Sequence, residues 1–212
     1  MNIKVIYEDD DILAIDKPAH IETIVSSNKD KTIEDIFGVK NVTGHGIVHR
    51  LDKDTSGVMV LAKTEAAAAA LRKQFEERKV TKQYIALVHG EMKESRGLIT
   101  TPVQRYPKDQ FRSAITEWKV VRTCSIINNQ YSILELSPHT GRTHQLRKHL
   151  KSIGHPIVSD PIYGFRKKLK SDLSWCPRLF LHAQFISFLH PTTGEQMEHV
   201  APLPSDLRRV IH

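Results

Sequence analysis

With 212 residues, 40% of them hydrophobic and 26% charged, the chain can bury a sizeable core and is too evenly composed to be low-complexity. No run approaches the roughly 18 apolar residues of a membrane-crossing helix, and the N-terminal stretch turns acidic at once, unlike a secretory leader. The 31 Lys and Arg against 24 Asp and Glu leave a net charge of +7, a balance that favours a polyanionic partner, most often nucleic acid.

Ile3–Tyr7 and Ile12–Asp16 alternate apolar and polar residues around the acidic turn Glu8-Asp9-Asp10-Asp11, which predicts a β-hairpin. Lys17-Pro18-Ala19 ends it, residues 20–31 read as loop, and Thr32 is placed to cap a short helix through Phe37. Residues 47–63 combine a polar turn with the apolar run Val58–Ala62, a strand. Thr64 then caps a predicted helix from Glu65 to Lys79, with five consecutive alanines and Leu71 and Phe75 as buried contacts.

Tyr84–Val88 is a strand followed by the turn His89-Gly90-Glu91. Ala114–Val121 and Tyr131–Leu136, separated by Asn128-Asn129, read as antiparallel strands. Thr143 is the predicted cap of a helix through Ile153, with Leu146, Leu150 and Ile153 on one face and Gly154 as its stop. Leu179–Phe188 and Glu198–Ala201 supply the last strands. This order predicts an α+β fold with a central mixed, largely antiparallel sheet flanked by helices.

Cys124 and Cys176 form no C-x-x-C pair, which argues against a disulfide framework or zinc site and fits a cytoplasmic protein. Of the twelve histidines, His139, His144 and His149 are spaced by five, off the i, i+4 ligand spacing. His45 and His49 have that spacing, but their glycine and β-branched neighbours argue against a helix. We expect no metal and no cofactor. Basic residues gather at Arg142, Arg147, Lys148 and Lys151 and again at Arg166–Lys170, two segments suited to phosphate contacts.

The segment His49-Arg50-Leu51-Asp52-Lys53-Asp54-Thr55-Ser56-Gly57 sets one carboxylate, Asp52, in a tight turn that feeds a strand. A side chain held there is a candidate nucleophile, although Asp in a turn also serves the turn itself. The segment resembles the motif of the RluA-type pseudouridine synthases, which isomerise uridine to pseudouridine in structured RNA. His49 and Ser56 separate it from the sister RsuA-type enzymes. Lys17-Pro18, Lys82-Gln83-Tyr84-Ile85-Ala86, Thr140–Leu150, Asp160-Pro161-Ile162-Tyr163-Gly164 and Arg178–Ala183 are similar to further motifs of that family. The resemblance thus spans roughly residues 3 to 202, and no N-terminal S4 module is expected, so that 1–212 reads as a single catalytic domain.

The resemblance implies the roles. Asp52 is the expected nucleophile. Tyr84 would stack on the flipped base and remove the C5 proton. Arg147 would ion-pair with the nucleophile and keep it anionic, as a guanidinium beside a carboxylate does. Leu181 would floor the base, Arg50 would occupy the space the base leaves, and His49, Arg142 and Lys148 would contact RNA. The implied partner is structured RNA, transfer RNA or 23S-type ribosomal RNA or both, with no membrane and a monomer as default. Two departures stand out: His20 and Ser159 each occupy a position where the family has glycine, which puts the conformation of those loops in question. A catalytically silent RNA-binding domain on the same fold is the alternative, and an RNA N-glycosidase using Asp52 with His49 is another.

Overall fold

Nine strands and five α-helices account for the regular structure of the computed structural model, which describes residues 3–24 and 31–211. In chain order the strands are β1 (Lys4–Glu8), β2 (Ile12–Lys17), β3 (Ser56–Ala62), β4 (Thr81–His89), β5 (Arg96–Ile99), β6 (Thr116–Ile126), β7 (Asn129–Pro138), β8 (Leu181–Leu189) and β9 (Gln196–Val200). The helices are α1 (Ile33–Phe37), α2 (Glu65–Glu76), α3 (Gln145–Ser152), α4 (Leu169–Leu173) and α5 (Ser205–Arg208). The chain divides into two compact units, Met1–Lys82 with Ala183–Pro202, and Gln83–His182 with Leu203–His212. Each has its own apolar core.

In the first unit the predicted hairpin forms as β1 and β2, and β2 continues antiparallel onto β3 from Ile12↔Ala62 to Lys17↔Gly57. β8 lies on the other side of β3, and β9 pairs antiparallel with β8. β3 is buried along its whole length, which explains its unbroken apolar run. α2 sets Ala67, Ala68 and Leu71 into the core, and the Thr64 hydroxyl accepts the Ala67 N–H as expected of its cap. It stops at Glu76 rather than Lys79, where Arg78 turns left-handed at φ +58°. Thr32 and Asp35 form a full capping box on α1. Part of the loop predicted over 20–31, residues 25–30, lies outside the described residues.

The second unit is an antiparallel sheet in the order β4-β7-β6-β5. β6 and β7 turn at Ile127 and Asn128, one residue earlier than the Asn128-Asn129 expected. Both have positive φ (+47° and +59°), as a tight hairpin turn requires. α3 begins at Gln145, preceded by a left-handed His144, and Thr143 does not cap it. Instead the Gln145 side chain reaches back, its carbonyl accepting the Arg142 N–H (3.0 Å) and the Thr140 hydroxyl (2.7 Å). Leu146 and Leu150 are buried, while Ile153 stays 37% exposed past the helix end. β5, α4 and α5 were not foreseen from the sequence. Among the described residues no helix is long and apolar enough to cross a membrane.

Candidate active site

The Asp52 turn is assembled in the first unit from both sides. Upstream, Ile47 bridges to Leu61 of β3, and the His49 Nε2 accepts the Val60 N–H at 2.9 Å, so the motif enters along the strand it is about to become. Leu51 is buried, and the buried Thr23 hydroxyl donates to its carbonyl (2.9 Å) and accepts its N–H (3.3 Å). Asp52 then opens a β-turn, its carbonyl accepting the Thr55 N–H at 3.1 Å. The Lys17 ammonium, buried to 0% exposure, donates to the carbonyls of Pro18 (2.9 Å), Ile21 (2.8 Å) and Lys53 (3.3 Å). The turn is thereby tied at Leu51, Lys53 and Thr55, and Asp52 itself is half-buried.

Gly57 closes the motif because nothing larger fits. Its φ is +123°, and a Cβ there would stand 2.1 Å from the Ala183 carbonyl oxygen of β8.

His49 packs within the first unit. Its half-buried ring stacks on Phe75 (4.9 Å between centroids), and Lys82 Nζ lies 5.8 Å over the same Phe75 ring. Burial, and then the nearby Lys82 charge, push the His49 pKa down to about 3. The ring is therefore neutral at pH 7, with Nε2 unprotonated to accept and Nδ1 carrying the proton. Arg50, beside it, is exposed.

His20 takes a left-handed backbone at φ +68°, the conformation glycine adopts most readily, and its Nδ1 lies 3.0 Å from Asp54 in the turn. Ser159 does the same at φ +56°, its hydroxyl donating to the Cys176 carbonyl at 2.7 Å. Both loops keep a glycine-like conformation, each with a side-chain contact that glycine lacks.

In the second unit Tyr84 is half-buried on β4, opposite Leu136 of β7 and packed against the core. Arg147 is 3% exposed on α3 and forms a two-pronged ion pair with Asp160, Nε to Oδ2 at 2.8 Å and Nη2 to Oδ1 at 2.7 Å. Burial alone would raise the Asp160 pKa. The Arg147 bonds and charge, with the N–H groups of Tyr163 and Ile162, hold it below the usual carboxylate range. The guanidinium also lies 5.1 Å from the Tyr163 ring centroid. Asp160, at the head of the Asp160–Gly164 segment, is thus a carboxylate partner that holds the Arg147 guanidinium by two bonds. Leu181 is 3% exposed at the start of β8. Lys148 donates to the Gln104 carbonyl, and the Arg142 Nε donates to the Ser113 carbonyl at 3.3 Å. Among the described residues no three His, Cys, Asp or Glu side chains gather as metal ligands.

The sequence pattern of the RNA pseudouridylate synthase family matches residues 11–152, two-thirds of the chain and the stretch that carries Asp52, Tyr84 and Arg147. The chain belongs to that family. It is an RNA-modifying isomerase of the RluA type, in which uridine is converted to pseudouridine. An uncharacterized RNA pseudouridine synthase of Aquifex aeolicus (strain VF5) is 38% identical over 98% of this chain and 72% of its own length. A ribosomal large subunit pseudouridine synthase D of Xanthomonas campestris pv. campestris is also 38% identical, over 99% of this chain and 68% of its own. Among solved structures, human RNA pseudouridylate synthase domain containing 1 superposes with a TM-score of 0.78 at 29% identity, covering 96% of this chain and 84% of that one. The pseudouridine synthase pattern ends at residue 152, so Asp160 and Leu181 lie beyond it.

Proposed function

We propose that this pseudouridine synthase modifies uridines in transfer RNA, large-subunit ribosomal RNA or both, with Asp52 as its nucleophile. The observation that carries the assignment is the Asp52 turn, tied through Thr23 at Leu51, through buried Lys17 at Lys53 and by its own Asp52–Thr55 bond. A carboxylate on so fixed a backbone loses little freedom when it engages a nucleotide. The ribosomal name of the Xanthomonas relative supports an rRNA substrate.

The target base is first flipped out, at a cost of about a few kcal/mol that is least in a loop. Asp52 adds to the nucleotide, the N1–C1′ bond breaks, the uracil turns and rejoins through C5, and the bond to Asp52 breaks to return the free carboxylate. The C5 proton leaves and N1 regains one, so the reaction is a net isomerisation without cofactor or metal. Tyr84 is assigned to stacking on the flipped base and to the removal of the C5 proton. Arg147 is assigned to keeping the nucleophile ionised, with Asp160 as its positioning partner. Arg50 is assigned to the space the base leaves, Leu181 to an apolar floor, and Arg142 and Lys148 to phosphates. His49 we assign to holding the motif rather than to binding RNA. We take the enzyme to work as a monomer in the cytoplasm.

Unmodified transfer RNA and large-subunit rRNA transcripts incubated with the protein test this reading through mapping of pseudouridine at single-nucleotide resolution. Pseudouridine at defined positions in one pool or both is the expected result and names the substrate. Free uracil without pseudouridine would show an N-glycosidase and overturn the proposal.

A further inference from the structure

Thr55 closes the turn that Asp52 opens, and its hydroxyl is unmatched in the free protein. The residue is 2% exposed, and among the described residues its Oγ1 has no hydrogen-bond partner. Among the same residues two other sealed side-chain atoms share that state, Nδ1 of His89 and Nε2 of His199. Both are imidazole nitrogens, which can stand without a proton. A hydroxyl always carries one.

Leaving a buried hydroxyl unbonded costs stability, and valine would fill the same space without that cost. An interaction made only during a reaction leaves this trace in the resting protein: a polar group held ready beside the reacting residue, at the expense of the fold.

The turn limits where a partner can come from. A hydroxyl sealed from water is sealed from a nucleotide as well, so the acceptor belongs to the protein. The Thr55 N–H already donates to the Asp52 carbonyl at 3.1 Å, which sets the two residues at the ends of one β-turn. The ends of such a turn keep their Cα atoms within about 7 Å, inside the reach of a rotamer change at either side chain. Between them the Lys53 carbonyl accepts the Lys17 ammonium at 3.3 Å, and Oδ1 of Asp54 lies 3.0 Å from His20 Nδ1. The Asp52 carboxylate is the acceptor of the turn that the reaction itself moves.

We infer that Thr55 is a positioning residue for Asp52. As Asp52 turns onto the nucleotide, the Thr55 hydroxyl donates to the carboxyl oxygen that does not bond to the nucleotide. It thereby fixes the rotamer from which the other oxygen attacks. The hydroxyl keeps its proton throughout, and the same bond steadies the carboxylate as it leaves. A bond absent from the free protein and made along the reaction acts on kcat rather than on KM. This inference rests on Asp52 as the nucleophile and adds the group that aims it.

Thr55→Val removes the hydroxyl and keeps the shape, while Thr55→Ser keeps the hydroxyl. Melting temperature, kcat and KM are measured for both, with wild type and Asp52→Asn alongside, on the RNA that the wild type modifies. Thr55→Val should melt about 2–4 °C above wild type, because it relieves an unbonded polar group. It should also turn over roughly tenfold to a hundredfold more slowly with KM unchanged, and Thr55→Ser should restore most of kcat. A hydroxyl with a purely structural role gives the opposite sign: Thr55→Val would melt below wild type. That result would overturn the inference. So would a wild-type kcat in Thr55→Val, which is what a hydroxyl held by a buried water would give. The two readings fail separately. An inactive Asp52→Asn beside a fully active Thr55→Val removes Thr55 alone, whereas turnover by Asp52→Asn at the wild-type rate removes the nucleophile and this inference with it.

Discussion

His49 holds the Asp52 motif to its strand, and its part can be tested alone. His49 accepts the Val60 N–H with an unprotonated nitrogen and stacks on Phe75, so a proton on Nε2 would cost that bond. Its pKa is lowered from the ordinary histidine value to about 3. Between those two values the unfolded chain binds the proton and the folded one does not, so this group's stability is full above the unfolded pKa and is lost as pH falls toward 3. His49→Gln keeps an acceptor without a titrating ring. It should retain turnover and unfold at lower pH than wild type in an acid titration followed by circular dichroism. His49→Leu should lose turnover through kcat, whereas an RNA contact would show as a raised KM.

Arg147 and Asp160 are both buried and share two hydrogen bonds. Removing either partner strands a charge in the core, at about 3–5 kcal/mol. In urea unfolding, Arg147→Ala and Asp160→Ala should each cost about that much, and the double variant much less than their sum. Additive losses would show that the pair is not coupled. Nothing in the sequence announced this pair: the residues are thirteen apart, Arg147 on α3 and Asp160 outside any helix or strand, with no periodic pattern to join them. Lys17 was similarly opaque, since its ammonium donates to three backbone carbonyls, and backbone partners leave no pattern in the sequence.

Elements whose reasons are local were legible. The β1–β2 hairpin follows from alternation, α1 and α2 from their threonine caps, and β3 from an apolar run with both faces covered. Elements whose reasons are tertiary were not. α4 begins at the end of the basic block 166–170, and its buried Asp172 meets His89 at 3.0 Å across 83 residues. β5 has four residues, with Leu98 59% exposed and Ile99 buried, too little pattern to read. α3 starts one residue later than a Thr143 cap would set, because His144 takes a left-handed backbone and no side chain caps the helix. The glycines separate the same way. At Gly57 an added Cβ would meet backbone at 2.1 Å, whereas at Gly154 (φ +83°) it would meet nothing within 4 Å. Gly154→Ala should therefore cost only backbone strain, about 1 kcal/mol, while Gly57→Ala should cost at least about 2 kcal/mol and displace β3 from β8. Equal melting temperatures for the two variants would contradict this.

At the scale of the molecule, two cores are built from separate stretches of one chain, and the motif residues are divided between the units: Asp52 in the first, Tyr84 and Arg147 in the second. Fold class and family were readable because the motifs lie in sequence order along nearly the whole chain, and the net charge of +7 agrees with an RNA substrate. The central claim, that Asp52 is the nucleophile of uridine isomerisation, is tested most directly by tritium release from RNA labelled at uridine C5, measured for wild type and Asp52→Asn. The account predicts release by the wild type and none by the variant, with RNA binding retained. Release by Asp52→Asn at the wild-type rate would contradict it.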